Sequence, residues 1–216
     1  MAKAKTNSFP LYLITDRHQT SGRDLLAVVG EALAGGVTAV QLREKDLAPR
    51  ELLELARALR ELTGRFGARL LVNDRIDVAL AAGVDGVHLG EEGIPADVAR
   101  RLLGPERLIG VSCHTLAGAR AAEEGGADFI TFGPVFFTAS KARYGPPVGL
   151  APLAEAVRSV SLPVFALGGI TRENAADAMA AGAAGIALIS AICAADSPRD
   201  EARALLSLLP HPSRKR

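Results

Sequence analysis

Residues 69–90 read R-L-L-V-N-D-R-I-D-V-A-L-A-A-G-V-D-G-V-H-L-G. The run Arg69–Asn73 is apolar without alternation, as expected of a strand buried on both faces. A helical pattern follows over Arg75–Ala82, then Gly83, then a second apolar run over Gly86–Gly90. Strand, helix and strand in this order read as one βαβ unit with parallel strands. The same alternation extends in both directions. Further strand-like runs are Leu11–Asp16, Ala39–Glu44, Leu108–Ser112, Phe129–Val135, Pro163–Gly169 and Gly185–Ile192. Helical patterns lie at Asp24–Ala34, from Pro49 through Leu62, and at Pro95–Leu103, Leu116–Glu124, Ala151–Val157, Arg172–Ala181 and Pro198–Leu208. Fragments of the type Ala-Gly-Gly-Val-Thr recur at Ala34–Thr38, Ala82–Asp85, Glu124–Asp128 and Ala181–Ala184, each just before a strand, where a glycine can end a helix.

Eight strand–helix pairs in 216 residues favour an α/β fold of the (β/α)8 TIM-barrel type. The length is short for a barrel, and periodicity alone leaves an open doubly wound sheet as the alternative. No linker rich in Pro, Gly or Ser divides the chain, so residues 1–216 are expected to form one domain, with frayed ends at about 1–8 and 210–216.

Composition narrows the function. Lys plus Arg is 25 against 24 Asp plus Glu, without the basic excess that a nucleic-acid binder needs. Two cysteines are too few for a disulfide framework or a four-cysteine zinc site. The uncharged stretch Ala178–Ala195 is the one candidate membrane span. It is mostly Ala and Gly, and reads better as helix end, turn and strand. Met1–Ser8 lacks an apolar signal core. A cytoplasmic protein without membrane or nucleic-acid partners is the expectation.

In a barrel the functional residues belong at the carboxyl ends of strands. The second strand runs into Gln41-Leu42-Arg43-Glu44-Lys45. Alternation puts Gln41, Arg43 and Lys45 on one side, an anion site if that side faces inward; a solvated rim with Glu44 and Lys45 paired is the plainer reading. Asp74 is either the N-cap of the next helix or a hard oxygen ligand for Mg²⁺, with Asn73 beside it. Ser112 either contacts a ligand or caps a helix, and His114 is of the residue type suited to shuttling protons. Cys113 reads as a small buried residue. Thr138-Ala139-Ser140-Lys141 suits a loop over a ligand. The Gly168-Gly169 turn and Ile189-Ser190 offer backbone N–H groups to a phosphate; tight packing is the alternative.

The ordered set Q-L-R-E-K, N-D-R, G-V-H-L-G, G-V-S-x-H-T, G-A-D-F, G-P-V-F-x-T-x-S-K, G-G-I-T and A-L-I-S-A-I resembles the thiamine phosphate synthase family, which includes thiazole tautomerases. The resemblance runs from about Leu11 to Leu208. It implies a (β/α)8 barrel that joins a phosphorylated pyrimidine to a thiazole phosphate, with release of pyrophosphate. By position in the motifs, Gln41, Arg43, Lys45 and Asn73 would hold the pyrimidine diphosphate and Asp74 would bind Mg²⁺. Ser112 would face the pyrimidine, and Thr138, Ser140 and Lys141 the thiazole side and the diphosphate. Gly169, Ile189 and Ser190 would cradle the thiazole phosphate. Lys45, Ser112, Lys141 and His114 are the catalytic candidates. One position departs: the family's G-V-H-L-G-Q-E-D ends on a second Mg²⁺ ligand, where this chain has Gly93, and Glu91 or Glu92 would have to substitute. A tautomerase using His114, or a non-catalytic phosphate-binding barrel, are the competing readings. A homo-oligomer is left open.

Overall fold

The computed structural model describes residues 9–138 and 146–209. Eight strands form a closed barrel: β1 (Leu11–Ile14), β2 (Ala39–Leu42), β3 (Arg69–Asn73), β4 (Gly86–Leu89), β5 (Leu108–Cys113), β6 (Phe129–Phe132), β7 (Val164–Leu167) and β8 (Gly185–Leu188). All neighbours are parallel, and β8 closes on β1 with Leu188 opposite Leu13. Between them run α1 (Leu25–Ala34), α2 (Pro49–Arg65), α3 (Ile76–Ala82), α4 (Ala96–Leu103), α5 (Leu116–Glu124), α6 (Leu150–Ser159) and α7 (Ala175–Ala180). After β8 come the single turn α8 (Ser190–Cys193) and then α9 (Pro198–Ser207). The closed ring decides between the two architectures that periodicity left open.

Because both faces of each strand are buried, alternation selects a destination rather than exposure. Leu13, Val40, Leu70, Val72, Val87, Ile109, Ile130 and Ile186 point outward under the helices. Tyr12, Ile14, Ala39, Leu71, Leu108, Phe129, Phe165 and Ala187 point into the lumen. Phe9, just before β1, stacks on Phe165 at 4.8 Å and meets Phe129 edge-on at 5.3 Å. Apolar rings therefore plug the amino end of the lumen, and the polar inward residues are left for the other end.

The recurring glycine fragments turn each helix back into the next strand. Gly83 is left-handed at φ +63° at the end of α3. After α1 and α5 the second glycine of the pair takes that conformation, Gly36 at +108° and Gly126 at +80°. Two of these fragments also carry a clamp. Asp85 accepts the Leu70 N–H at 2.9 Å and pairs with Arg60 and Arg69. Asp128 accepts the Ile109 N–H at 2.7 Å and pairs with Arg100. Each aspartate ties the strand it precedes to the neighbouring strand.

Six of the eight strand-like runs extend beyond the real strands at their carboxyl ends; the third ends with its strand, and the fifth stops one residue short of Cys113. The largest excess is at the eighth: β8 stops at Leu188, and the apolar run expected to continue to Ile192 becomes α8. Beyond the rim no partner strand continues the ladder, and a helical turn still buries Ile192 and Cys193. A short apolar run has no period by which to tell the two apart. The suspected span 178–195 is divided among α7, β8 and α8, and no helix among the described residues is long and apolar enough to cross a membrane.

Candidate active site

Parallel strands in a closed ring deliver all their carboxyl ends to one mouth. Gln41 on β2, Asn73 ending β3 and Ser112 on β5 lie there, with Arg43 one inward position beyond Gln41. Gln41 is 1% exposed, inside the lumen, and its Nε2 donates to Tyr12 Oη at 3.2 Å. Tyr12 Oη lies 3.4 Å from His88 Nδ1, and His88 Nε2 lies 3.0 Å from Ser112 Oγ. Thr131 Oγ1 closes the group at 3.4 Å from both His88 Nε2 and Ser112 Oγ. Burial, and after it the Arg43 charge, pushes the His88 imidazole down to about 3. A neutral imidazole thus connects Gln41 and Ser112 through the lumen. Ser112 does not cap α5; Thr115 does, accepting the Gly118 N–H at 3.0 Å. The sequence reading missed His88 and Tyr12, although His88 stands inside G-V-H-L-G, where alternation with Gly86 and Gly90 directs it inward.

Asp74 is not an N-cap. That position of α3 is Arg75, which makes no side-chain cap. Asp74 instead has φ +56°, and its Oδ1 accepts the Gly90 N–H at 2.7 Å from the end of the neighbouring β4. Oδ2 accepts from Asn73 Nδ2 at 2.8 Å. A non-glycine residue in the left-handed region is uncommon, and the two bonds hold it there. Each carboxylate oxygen keeps a second lone pair. That donor set fits Mg²⁺, which takes one or two carboxylates and completes its shell with water and phosphate oxygens. It is no all-protein cage: among the described residues no three His, Cys, Asp or Glu side chains are grouped to hold a metal. Glu91 turns to the other side, with its Oε2 3.9 Å from His114 Nε2.

The plainer reading of the Gln41–Lys45 stretch fails. Glu44 does not pair with Lys45. It is 4% exposed and accepts from Thr15 Oγ1 at 2.7 Å and from Arg17. Arg43 and Lys45 line one cleft with Asp16, His18, Glu44 and Asp46, so both cations face the rim of the mouth.

His114 Nδ1 is bonded to the Gly133 carbonyl. Cys113 is buried, and burial pushes its thiol up to about 12, with Glu91 adding to the effect. Gly169 has φ +65°, and a Cβ there would stand 2.3 Å from the Phe137 carbonyl oxygen. Gly168 is closed in the same way by Pro134. Packing against the strand-six loop therefore requires glycine at both positions, whatever their backbone N–H groups meet. Ser190 is the first residue of α8, so its N–H and that of Ala191 have no acceptor within the helix, and Ile189 precedes them. Thr138 is half-buried at the end of the described β6 loop. Ser140 and Lys141 lie outside the described residues.

Comparison with known proteins agrees with this architecture. The family model described as thiamine monophosphate synthase matches residues 11–192. A Geobacter sulfurreducens relative is 70% identical over 202 residues, covering 94% of this chain and 95% of its own length. A Roseiflexus castenholzii protein named thiamine-phosphate synthase is 49% identical over 195 residues, covering 90% of this chain and 86% of its own. The solved thiamine phosphate pyrophosphorylase of Pyrococcus furiosus superposes with a TM-score of 0.86 at 40% identity, covering 94% of this chain and 96% of that one. With a match over most of its length and relatives this similar, the chain belongs to the thiamine monophosphate synthase family.

Proposed function

We propose that the protein forms thiamine phosphate from a pyrimidine carrying a methylene diphosphate and a thiazole phosphate, releasing pyrophosphate. The observation that carries this beyond family membership is the convergence of Gln41, Asn73, Asp74 and Ser112, with the cations Arg43 and Lys45, on one mouth of the barrel.

The methylene–oxygen bond breaks and its electron pair leaves with the pyrophosphate. The remaining ring-stabilised cation accepts the lone pair of the thiazole nitrogen, and a carbon–nitrogen bond forms. No covalent enzyme intermediate is needed. The demand on the protein is positive charge where the leaving group gathers negative charge. Arg43 and Lys45 supply it from the rim, and Lys141 takes part by the resemblance. Gln41 and Ser112, joined through His88, hold the pyrimidine ring at the lumen end. Asn73 fixes the Asp74 carboxylate. Mg²⁺ held at Asp74 adds, when bound, further charge against the diphosphate. The thiazole phosphate meets the backbone around Gly169, Ile189 and Ser190.

The test is a thiamine phosphate formation assay on the purified chain, with and without Mg²⁺. Turnover that requires the metal and falls in Asp74→Asn supports the assignment. Absence of product with Mg²⁺ present refutes it. Isomerisation of a thiazole carboxylate phosphate, lost in His114→Gln, would identify a tautomerase instead.

A further inference from the structure

The loop after β2 reads Arg43-Glu44-Lys45-Asp46, two cations alternating with two carboxylates on the wall of one cleft. Left to itself such a stretch neutralises its own charges. Among the described residues, however, neither Arg43 nor Lys45 forms an ion pair. Both carboxylates are taken by one residue of a different loop. Arg17 gives Nη1 to Glu44 Oε2 at 3.3 Å, and Nη1 and Nη2 to the two oxygens of Asp46 at 2.6 and 2.7 Å. Its backbone N–H also donates to Glu44, at 3.2 Å to Oε1 and 3.1 Å to Oε2. Thr15 completes the join: its hydroxyl donates to Glu44 Oε1 and accepts the Arg43 N–H at 2.9 Å. His18 Nε2 reaches Asp46 Oδ2 at 2.9 Å. Arg17 foremost, and His18 after it, hold the Asp46 carboxyl well below the usual carboxylate range.

We propose that Arg17 is a positioning residue for the anion-binding rim: it occupies Glu44 and Asp46, so that Arg43 and Lys45 remain for the diphosphate of the substrate. The inference rests on the reaction proposed above for its substrate, but not for its geometry. A guanidinium suits the task because its planar fork engages a carboxylate with two parallel bonds and still has a donor for a second acid. Without it, two carboxylates a few ångströms from the rim would capture the neighbouring cations and repel an incoming anion. The guanidinium acts through these groups and need not touch the substrate.

The experiment uses the full chain, with inorganic pyrophosphate as the calorimetric probe and steady-state kinetics beside it. Arg17→Met keeps the side-chain stem and removes the charge. Pyrophosphate affinity is expected to fall, and KM for the pyrimidine diphosphate to rise, by about tenfold. KM for the thiazole phosphate is expected to stay within about twofold while kcat falls, because Arg43 and Lys45 also meet the departing pyrophosphate; a general loss of packing would not spare one substrate's KM. Adding Asp46→Asn to Arg17→Met should recover roughly threefold of the lost pyrophosphate affinity by removing the released acid. No recovery in the double variant overturns the proposal, since Arg17 would then bind the anion itself or serve only the fold. Should Arg17→Met not fold, Asp46→Asn alone decides: pyrophosphate binding as tight as wild type or tighter supports the proposal, and weaker binding overturns it. Pyrophosphate binding with this dependence in a chain that makes no thiamine phosphate overturns the reaction and leaves the role of Arg17. Turnover with a KM indifferent to Arg17 overturns the role alone.

Discussion

Gly93 stands against the carboxylate of Asp74: a Cβ built on Gly93 would lie 3.0 Å from Asp74 Oδ1 and 3.0 Å from the Gly90 carbonyl oxygen. The position at which the resemblance expects a second acidic ligand is thus where such a ligand would meet the first. Its backbone is outside the left-handed region, so a side chain costs no strain in φ there, only a shift of a few tenths of an ångström.

Gly93→Asp is therefore expected to place two carboxylates side by side. The Mg²⁺ concentration giving half-maximal thiamine phosphate formation should fall by about tenfold, the worth of one added charged ligand at a partly exposed site. In metal-free buffer the same pair repels, and thermal unfolding should show a loss of about 1 kcal/mol that Mg²⁺ reverses. An unchanged Mg²⁺ titration would mean that Asp74, water and diphosphate already saturate the metal.

His88 makes the fold sensitive to acid. Its folded pKa is depressed to about 3 from 6.5. Above pH 6.5 the imidazole is neutral in both states and its contribution is fully present. Below that the unfolded chain binds a proton that the folded chain refuses, so stability falls as pH drops from 6.5 toward 3, by up to about 1.4 kcal/mol per pH unit. Urea midpoints measured between pH 7 and 5 should show this slope in the wild type and lose part of it in His88→Gln. Equal slopes would place His88 in contact with solvent.

Asp85 tests the separation between the stabilising and the reacting ends of the barrel. It precedes β4, at the amino end, and holds the Leu70 N–H together with Arg60 and Arg69. Asp85→Ala leaves that backbone donor without its acceptor and should cost about 2 kcal/mol in urea unfolding. Both KM values and kcat should be unchanged at 25 °C. A fall in kcat would show that the clamp transmits to the mouth.

The barrel was legible because β3, α3 and β4 repeat as a pattern: apolar runs buried on two faces, helices between them, and glycines where each helix turns back. Strand ends were less legible. Ile189–Ile192 has no period, and only the absence of a partner beyond Leu188 makes it helical. At the site, position at strand carboxyl ends brought Gln41, Asn73 and Ser112 to one mouth. It could not reveal what joins them, since the links Tyr12–His88–Ser112 and Arg17–Glu44 are between residues distant in sequence. Asp74 shows the same limit. Sequence leaves it between N-cap and metal ligand, and what excludes the N-cap is its bond to the Gly90 N–H, sixteen residues away.

Whether charge stabilisation of the departing pyrophosphate drives the transfer is decided by Asp74→Asn in the thiamine phosphate formation assay. Asparagine tolerates the left-handed backbone at this position and can still accept the Gly90 N–H, so the fold should survive. In Asp74→Asn kcat is expected to fall on the order of 10²-fold with a loss of response to Mg²⁺, while His114→Gln lowers the rate by less than about tenfold. Transfer that is undiminished in Asp74→Asn and abolished in His114→Gln would contradict transfer by charge stabilisation.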